Sequence, residues 1–274
     1  MKFAGMTIVA ALAAAIAGCS SPSNVEVVST AAPIATAGVT PSGPQANTST
    51  PAAITNPQTK SPEEAIEAFM DAMGSASDPE VMREAATFAK KGSPAFVYMT
   101  HQANPAEAQL DAGLEMVDDD ITRNPDGSFE SCDSENECVT FSDFKADADG
   151  KLVDLTVGGK AIAPRLVVGN GKDVKFGSSK ITLLTAYRSV VSNNLLITLR
   201  VETSAKSVEL FNGSYRGADK KVRDIGSIAA PQEIAPDSST LALVVVPGMK
   251  PDGTLSLTGL ESNVKEVNAM IRIG

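Results

Sequence analysis

The chain has 274 residues, a formal net charge of -10, one His, no Trp and three Cys. An acid excess with no basic cluster repels phosphate backbones and anionic lipid surfaces, which argues against nucleic acid as a partner. A lone His leaves few means of shuttling protons, and three Cys set one pair against one left over.

Residues 1–18 open with Lys2 and an apolar run from Met6 to Ile16, too short to span a bilayer and shaped like a cleaved signal peptide. The tetrad Ile16-Ala17-Gly18-Cys19 then resembles the lipobox of bacterial lipoproteins. The resemblance implies cleavage before Cys19, a fatty-acyl lipid on the Cys19 thiol, and residence on a membrane outside the cytoplasm. That membrane is the outer face of the plasma membrane, or the outer membrane in a diderm cell, which Ser20 in place of Asp favours. Two or three acyl chains make such residence stable, whereas one holds only marginally. The competing reading is a signal for a freely secreted protein, with an Ala-x-Ala cut and an incidental Cys. Ile16 three before the Cys, and Ser20-Ser21 directly after it, favour the lipid. Loss of Lys2 leaves 22 basic against 33 acidic side chains, near -11 in the mature chain.

From residue 19 to residue 60 the chain is Ala, Thr, Ser and Pro with almost no charge, as in Thr40-Pro41-Ser42-Gly43-Pro44. Such a stretch cannot bury enough surface to offset the entropy of ordering it, so it is expected to be a disordered tether. A flexible chain of about 40 residues has an end-to-end distance of roughly 35 Å and a limit near ~140 Å. The N-glycosylation patterns at Asn47-Thr48-Ser49 and Asn212-Gly213-Ser214 belong to a different secretory chemistry and are read as chance.

Residues 61–160 are expected to form a helical module plus a β hairpin or curved sheet. Ser61-Pro62-Glu63-Glu64 has the form of a capping box with Pro at the first helical position, and Ile66, Phe69, Met70 and Met73 recur at helical spacing before Gly74. Asp78-Pro79-Glu80 starts a second helix, with Val81, Ala85 and Phe88 predicted on its buried face and Lys90-Lys91-Gly92 at its end. A third, from Pro94 towards Ala112, is expected to be interrupted near Asn104-Pro105 and to carry His101 partly exposed.

From about Glu130 the period becomes two. Candidate strands are Val139 to Phe144, Leu152 to Val157, Lys180 to Val190, Leu195 to Thr203, Leu241 to Val246 and Thr254 to Leu257. Asp126-Gly127, Asp149-Gly150, Asn170-Gly171, Asn212-Gly213 and Asp252-Gly253 are read as turns between them, supplying residues that tolerate positive φ. In Leu195 to Glu202 the apolar residues point one way and Leu196, Thr198, Arg200 and Glu202 the other, as in a strand buried on one face. Leu241 to Val246 is apolar on both.

Outside the cytoplasm Cys132 and Cys138, six apart, are expected to form a disulfide that clamps a turn. The alternative is a metal site using both sulfurs with Asp133, Glu135 or Glu137, although zinc spacings are tighter and the only His is distant.

Residues 161–274 are expected to be an immunoglobulin-like β-sandwich. Leu184-Thr185-Ala186-Tyr187-Arg188, then Leu195 to Val201, then Ala235-Pro236-Asp237-Ser238-Ser239 leading into Leu241 to Val246, resembles the telokin-like, immunoglobulin-like domain of Gram-positive surface lipoproteins, without its relatives' Trp or intersheet Cys pair. The helices followed by Val139 to Val157 resemble the order of NTF2-like domains. The fold class is therefore α+β.

No catalytic set emerges. Ser142-Asp143-Phe144-Lys145 matches the Ser-x-x-Lys spacing of penicillin-interacting enzymes, and Ser192-Asn193-Asn194 their second element, but strand geometry sends Ser142 and Lys145 to opposite faces and Lys-Thr-Gly is missing. Asp147-Ala148-Asp149-Gly150 resembles a calcium loop, yet Lys145 and Thr156 occupy ligand positions, so it reads as a hairpin turn. Asp118-Asp119-Asp120 reads as a solvated acidic loop. No catalytic residue, cofactor or metal is assigned. The expected function is a lipid-anchored surface lipoprotein that binds protein or cell-envelope components. The alternatives are an envelope hydrolase with unidentified carboxylates and a structural envelope lipoprotein.

Overall fold

A computed structural model describes residues 61–133 and 137–274. The expected signal peptide, Cys19 and the expected tether lie outside the described residues, as does Glu135. All the described residues belong to one compact unit.

Helix α1 (Pro62–Met73) starts as its sequence dictates: the Ser61 side chain accepts from the Glu64 backbone while the Glu64 carboxylate accepts from the Ser61 backbone N–H at 2.8 Å. Phe69, Met70 and Met73 are buried. Gly74 ends the helix with an ordinary right-handed φ of -72°. Glycine is needed there for space, since a Cβ would lie 2.7 Å from the Asp119 carbonyl oxygen.

Helix α2 (Pro79–Ala85) is capped by Asp78, and one 3-10 turn, Ala86–Phe88, follows it. Of the expected buried face, Ala85 is buried and Phe88 packs half-buried against the core, but Val81 is not part of it. Met82, Ala85, Ala86 and Ala89 point inward, and Val81 is 38 % exposed. Helix α3 (Pro94–Asp111) is continuous through Pro105, contrary to the expected interruption. The proline ring removes one backbone donor, which a helix packed along its length tolerates. The His101 expectation is also overturned, because that side chain is 0 % exposed beneath a sheet.

Strands β1 (Asp120–Arg123), β2 (Phe129–Cys132), β3 (Cys138–Ala146), β4 (Leu152–Val157) and β5 (Lys160–Ala161) form an antiparallel meander in chain order. Strand structure thus begins ten residues before Glu130, in a β1 whose exposed residues carry no alternation. The meander packs Phe129, Phe141, Leu152, Leu155 and Val157 against the three helices.

The remaining strands make a two-sheet sandwich. They are β6 (Leu166–Val168), β7 (Asp173–Phe176), β8 (Ser179–Arg188), β9 (Leu195–Glu202), β10 (Val208–Arg216), β11 (Val222–Asp224), β12 (Ser227–Ala229), β13 (Ser239–Val246), β14 (Thr254–Glu261) and β15 (Lys265–Arg272). One sheet runs β12-β13-β9-β8-β6, with β7 also on β8, and the other runs β11-β10-β14-β15. Every strand pair is antiparallel. Leu195, Ile197, Leu199 and Val201 meet Tyr215, Leu255, Leu257 and Ile271 in the core between the sheets. The chain is therefore α+β, with helices preceding an antiparallel β-sandwich.

One turn assignment fails, and one turn, Asp252-Gly253 between β13 and β14, forms without a positive φ. Asn212-Gly213 lies inside β10, where a bulge between Leu210 and Asn212 shifts the register against β14. Gly253 keeps a non-positive φ; a Cβ there would lie 2.8 Å from the Tyr215 hydroxyl, which donates to the Lys250 carbonyl and accepts from the Asp252 N–H. Gly127, Gly150 and Gly171 do adopt positive φ, in the turns expected of them.

The outer face of the β8–β9–β13 sheet is covered in part, against the expectation of one buried face for β9, while Arg200 on that face stays exposed. Helix α3 lies on it: Ala108 packs with Leu241 and Leu243, and Thr198 is fully buried. Apolarity on both faces of β13 follows from its place between the sandwich core and α3.

Candidate functional site

The seam between α3 and the sandwich buries a cluster of polar side chains, His101, Thr185 and Thr198 among them. His101 Nδ1 lies 2.8 Å from Thr185 Oγ1, which lies 2.6 Å from Thr198 Oγ1 on the neighbouring strand. Tyr187 packs against both Tyr98 and His101, at ring separations of 5.2 Å and 5.5 Å. His101 Nε2 has no hydrogen-bond partner among the described residues. Burial alone drops the imidazole from its ordinary 6.5 to about 3, so the ring is neutral at any physiological pH. Burial likewise pushes the Tyr187 hydroxyl up to about 12. This cluster is sealed from solvent and acts as a polar spine of the seam.

Where the seam opens, at the end of α3 nearest β13, it forms a cleft of about 250 Å³. The helix wall carries Glu80 and Arg83 from α2 with Asn104 and Glu107 from α3. Arg83 bridges both carboxylates, meeting Glu80 at 2.6 Å and pairing with Glu107 as well. The sheet wall carries Arg200 from β9 and Ser239 and Thr240 from β13, with Leu184 and Leu241 as its apolar part. Asp111 sets the distance between the walls, because its Oδ2 accepts from Thr240 Oγ1 at 2.7 Å and from the Leu241 N–H at 3.3 Å.

Two side chains of this cleft are unmatched. Asn104 is only 7 % exposed and its amide has no hydrogen-bond partner among the described residues. Its amide is not among the fully buried groups left without a partner, so it opens onto the cleft, where it is free to bond an occupant. Arg200 has no carboxylate within 4 Å among the described residues, although Glu80 and Glu107 lie across the same cleft. Arg83 is spent on two acids, so the helix wall carries one net negative charge and the sheet wall one positive. The cleft is hidden in the sequence because its members come from five elements, α2, α3, β8, β9 and β13. The one signal in the sequence is Arg200 on the outer face of a largely apolar strand.

The residues singled out in the sequence have other partners. A disulfide joins Cys132 to Cys138, opposite each other at the end of the β2–β3 hairpin with Cα atoms 4.1 Å apart. Ser142 Oγ pairs with Thr156 Oγ1 at 2.9 Å, while Lys145 bonds Asp154 at 3.0 Å. The structure does not bring Ser142 and Lys145 together with Ser192, Asn193 and Asn194, which lie in the β8–β9 turn. Asp147 accepts from the N–H groups of Asp149 and Lys151, closing the β3–β4 turn. Within the acidic run, Asp118 accepts from the Ser77 N–H and Asp119 from the Ser131 hydroxyl. Partial burial raises the Asp119 carboxyl above its ordinary range, against the opposing effect of that bond. Cys19 lies outside the described residues. Among the described residues there is no group of three or more His, Cys, Asp or Glu side chains placed to hold a metal, and no helix long and apolar enough to cross a membrane.

Comparison with protein-family models, with curated proteins and with solved structures returned no significant match in any of the three.

Proposed function

We propose that this protein is a lipid-anchored surface lipoprotein, held outside the cytoplasm through Cys19, and that it binds a protein or cell-envelope component in the cleft between α2–α3 and the β9–β13 face. The observation that carries the reading is a cleft whose walls bear unmatched charges of opposite sign, with the Asn104 amide open to it. A site prepared this way recognises a polar ligand. The disulfide between Cys132 and Cys138 supports an oxidising compartment, and Ile16-Ala17-Gly18-Cys19 supports the anchor. The tether then sets the reach of the body from the membrane.

Two measurements test this. Cys19→Ser should release the protein from the membrane fraction, and unchanged partitioning after signal cleavage would remove the anchor from the account. The Cys19→Ser chain, immobilised and exposed to envelope extract, should retain a component that Arg200→Ala loses. Turnover of cell-wall or ester substrates by the same chain would replace the binding role with a hydrolytic one.

A further inference from the structure

Resting on that reading, we infer that the cleft takes a short zwitterionic peptide of dipeptide size, with its ammonium on the helix wall, its carboxylate on Arg200 and its peptide bond on Asn104.

The charges select the ligand class. Glu80 and Glu107 share a single guanidinium, that of Arg83, so the helix wall has room for one more cation. Arg200 faces them without an acid of its own among the described residues, and its planar fork matches a carboxylate in a bidentate arrangement. A dianion such as phosphate would satisfy Arg200 but would leave the helix wall unmatched and face two carboxylates. A neutral sugar would leave both walls unmatched. A molecule carrying one positive and one negative charge at its two ends answers both.

Size and the middle of the cleft narrow the class. About 250 Å³ falls below the ~300–1,000 Å³ of cavities that hold drug-sized ligands, so the occupant is small. The Asn104 side chain offers one acceptor and two donors, the complement of a peptide N–H and C=O. Ser239 and Thr240 sit beside Arg200 on the sheet wall, and the Thr240 hydroxyl donates to Asp111, which leaves its lone pairs available to a ligand donor. Leu184 and Leu241 suit small apolar side chains.

The test titrates the full chain bearing Cys19→Ser with L-alanyl-L-alanine by calorimetry, alongside its N-acetylated and C-amidated forms. The expected result is saturable binding of the free dipeptide, weakened about tenfold or more by either block. Arg200→Ala should abolish the preference for a free carboxylate, and Asn104→Ala should weaken the free dipeptide by about tenfold. Circular dichroism of both variants should match the parent, and Asn104→Asp, isosteric and charged, provides a second variant if the alanine form is poorly folded. No binding of the free dipeptide, or equal binding of the blocked forms, would overturn the inference. If L-alanyl-L-alanine fails to bind while an envelope component is still retained in an Arg200-dependent way, the peptide class falls and the binding role stands. If Arg200→Ala changes neither, both fall.

Discussion

The carboxylate of Asp111, at the last turn of α3, receives the Thr240 hydroxyl at 2.7 Å and so joins the helical module to the first residues of β13 across 129 positions of sequence. One side chain thereby holds the end of the seam, and Ser239, Thr240 and Leu241 are kept in the wall of the cleft. The Leu241 backbone N–H, an otherwise difficult donor at a strand start, is answered by the same oxygen at 3.3 Å.

Asp111→Ala removes both bonds. The expected loss is about 1–2 kcal/mol, since one of the two donors is only partly buried and regains water. Urea unfolding should show a lower midpoint with an unchanged slope. Asp111→Asn keeps an acceptor and should lie between the two.

His101 makes the seam sensitive to acid. Its folded value of about 3 lies below the ordinary 6.5, so the unfolded chain takes up the proton first. Stability is full above about pH 6.5 and falls by about 1.4 kcal/mol per pH unit as pH drops from there towards 3. His101→Gln should flatten the difference in melting temperature between pH 7 and pH 5. An identical slope in the two proteins would show that the histidine is not neutral in the fold.

Glu261 works in a lower window. Its side chain is 2 % exposed and accepts from the Ser178 N–H at 2.7 Å and from the Ser178 hydroxyl, with Lys206 at 3.1 Å. The Ser178 bonds, then Lys206, hold the carboxyl at about 2, below its ordinary 4.5. The stabilisation is complete above about pH 4.5 and is lost as pH falls through 2. Glu261→Gln should melt lower at pH 7 and show a shallower decline between pH 4.5 and pH 2, read by thermal melts across that range.

The disulfide closes a short loop, so its stabilising effect is modest. Cys132→Ser with Cys138→Ser should destabilise by about 2 kcal/mol on the loop-entropy account. The oxidised parent should yield no alkylated thiol at these two positions by mass spectrometry until it is reduced.

Local signals were enough for much of the architecture. Ser61 with Glu64, and Asp78 before Pro79, announce helix starts because a cap is made by residues within one turn of each other. Leu195 to Glu202 announces its inward face because alternation follows directly from the pleat. Cys132 and Cys138 needed only their spacing. β10 stayed hidden because its bulge moves the core positions from Val208 and Leu210 to Tyr215, breaking the period of two, and Asn212-Gly213 then mimics a turn. His101 was misjudged because burial on a helix depends on what lies opposite, and that partner, Thr185, is 84 residues away.

The candidate site divides along the same line. Sequence alone determined the capped helices and the strongest strands, and it carries the Ile16-Ala17-Gly18-Cys19 motif behind the proposed anchor, all of which depend on neighbours in the chain. Only the tertiary structure decided that α3 covers Thr198 and Leu241 on the outer face of β9 and β13, that Asn104 lines a cleft there, and that Arg200 stands across it from an Arg83 shared between two acids. Charge balance and hydrogen-bond satisfaction are properties of groups within a few ångströms, and no spacing rule links residues drawn from two helices and three strands.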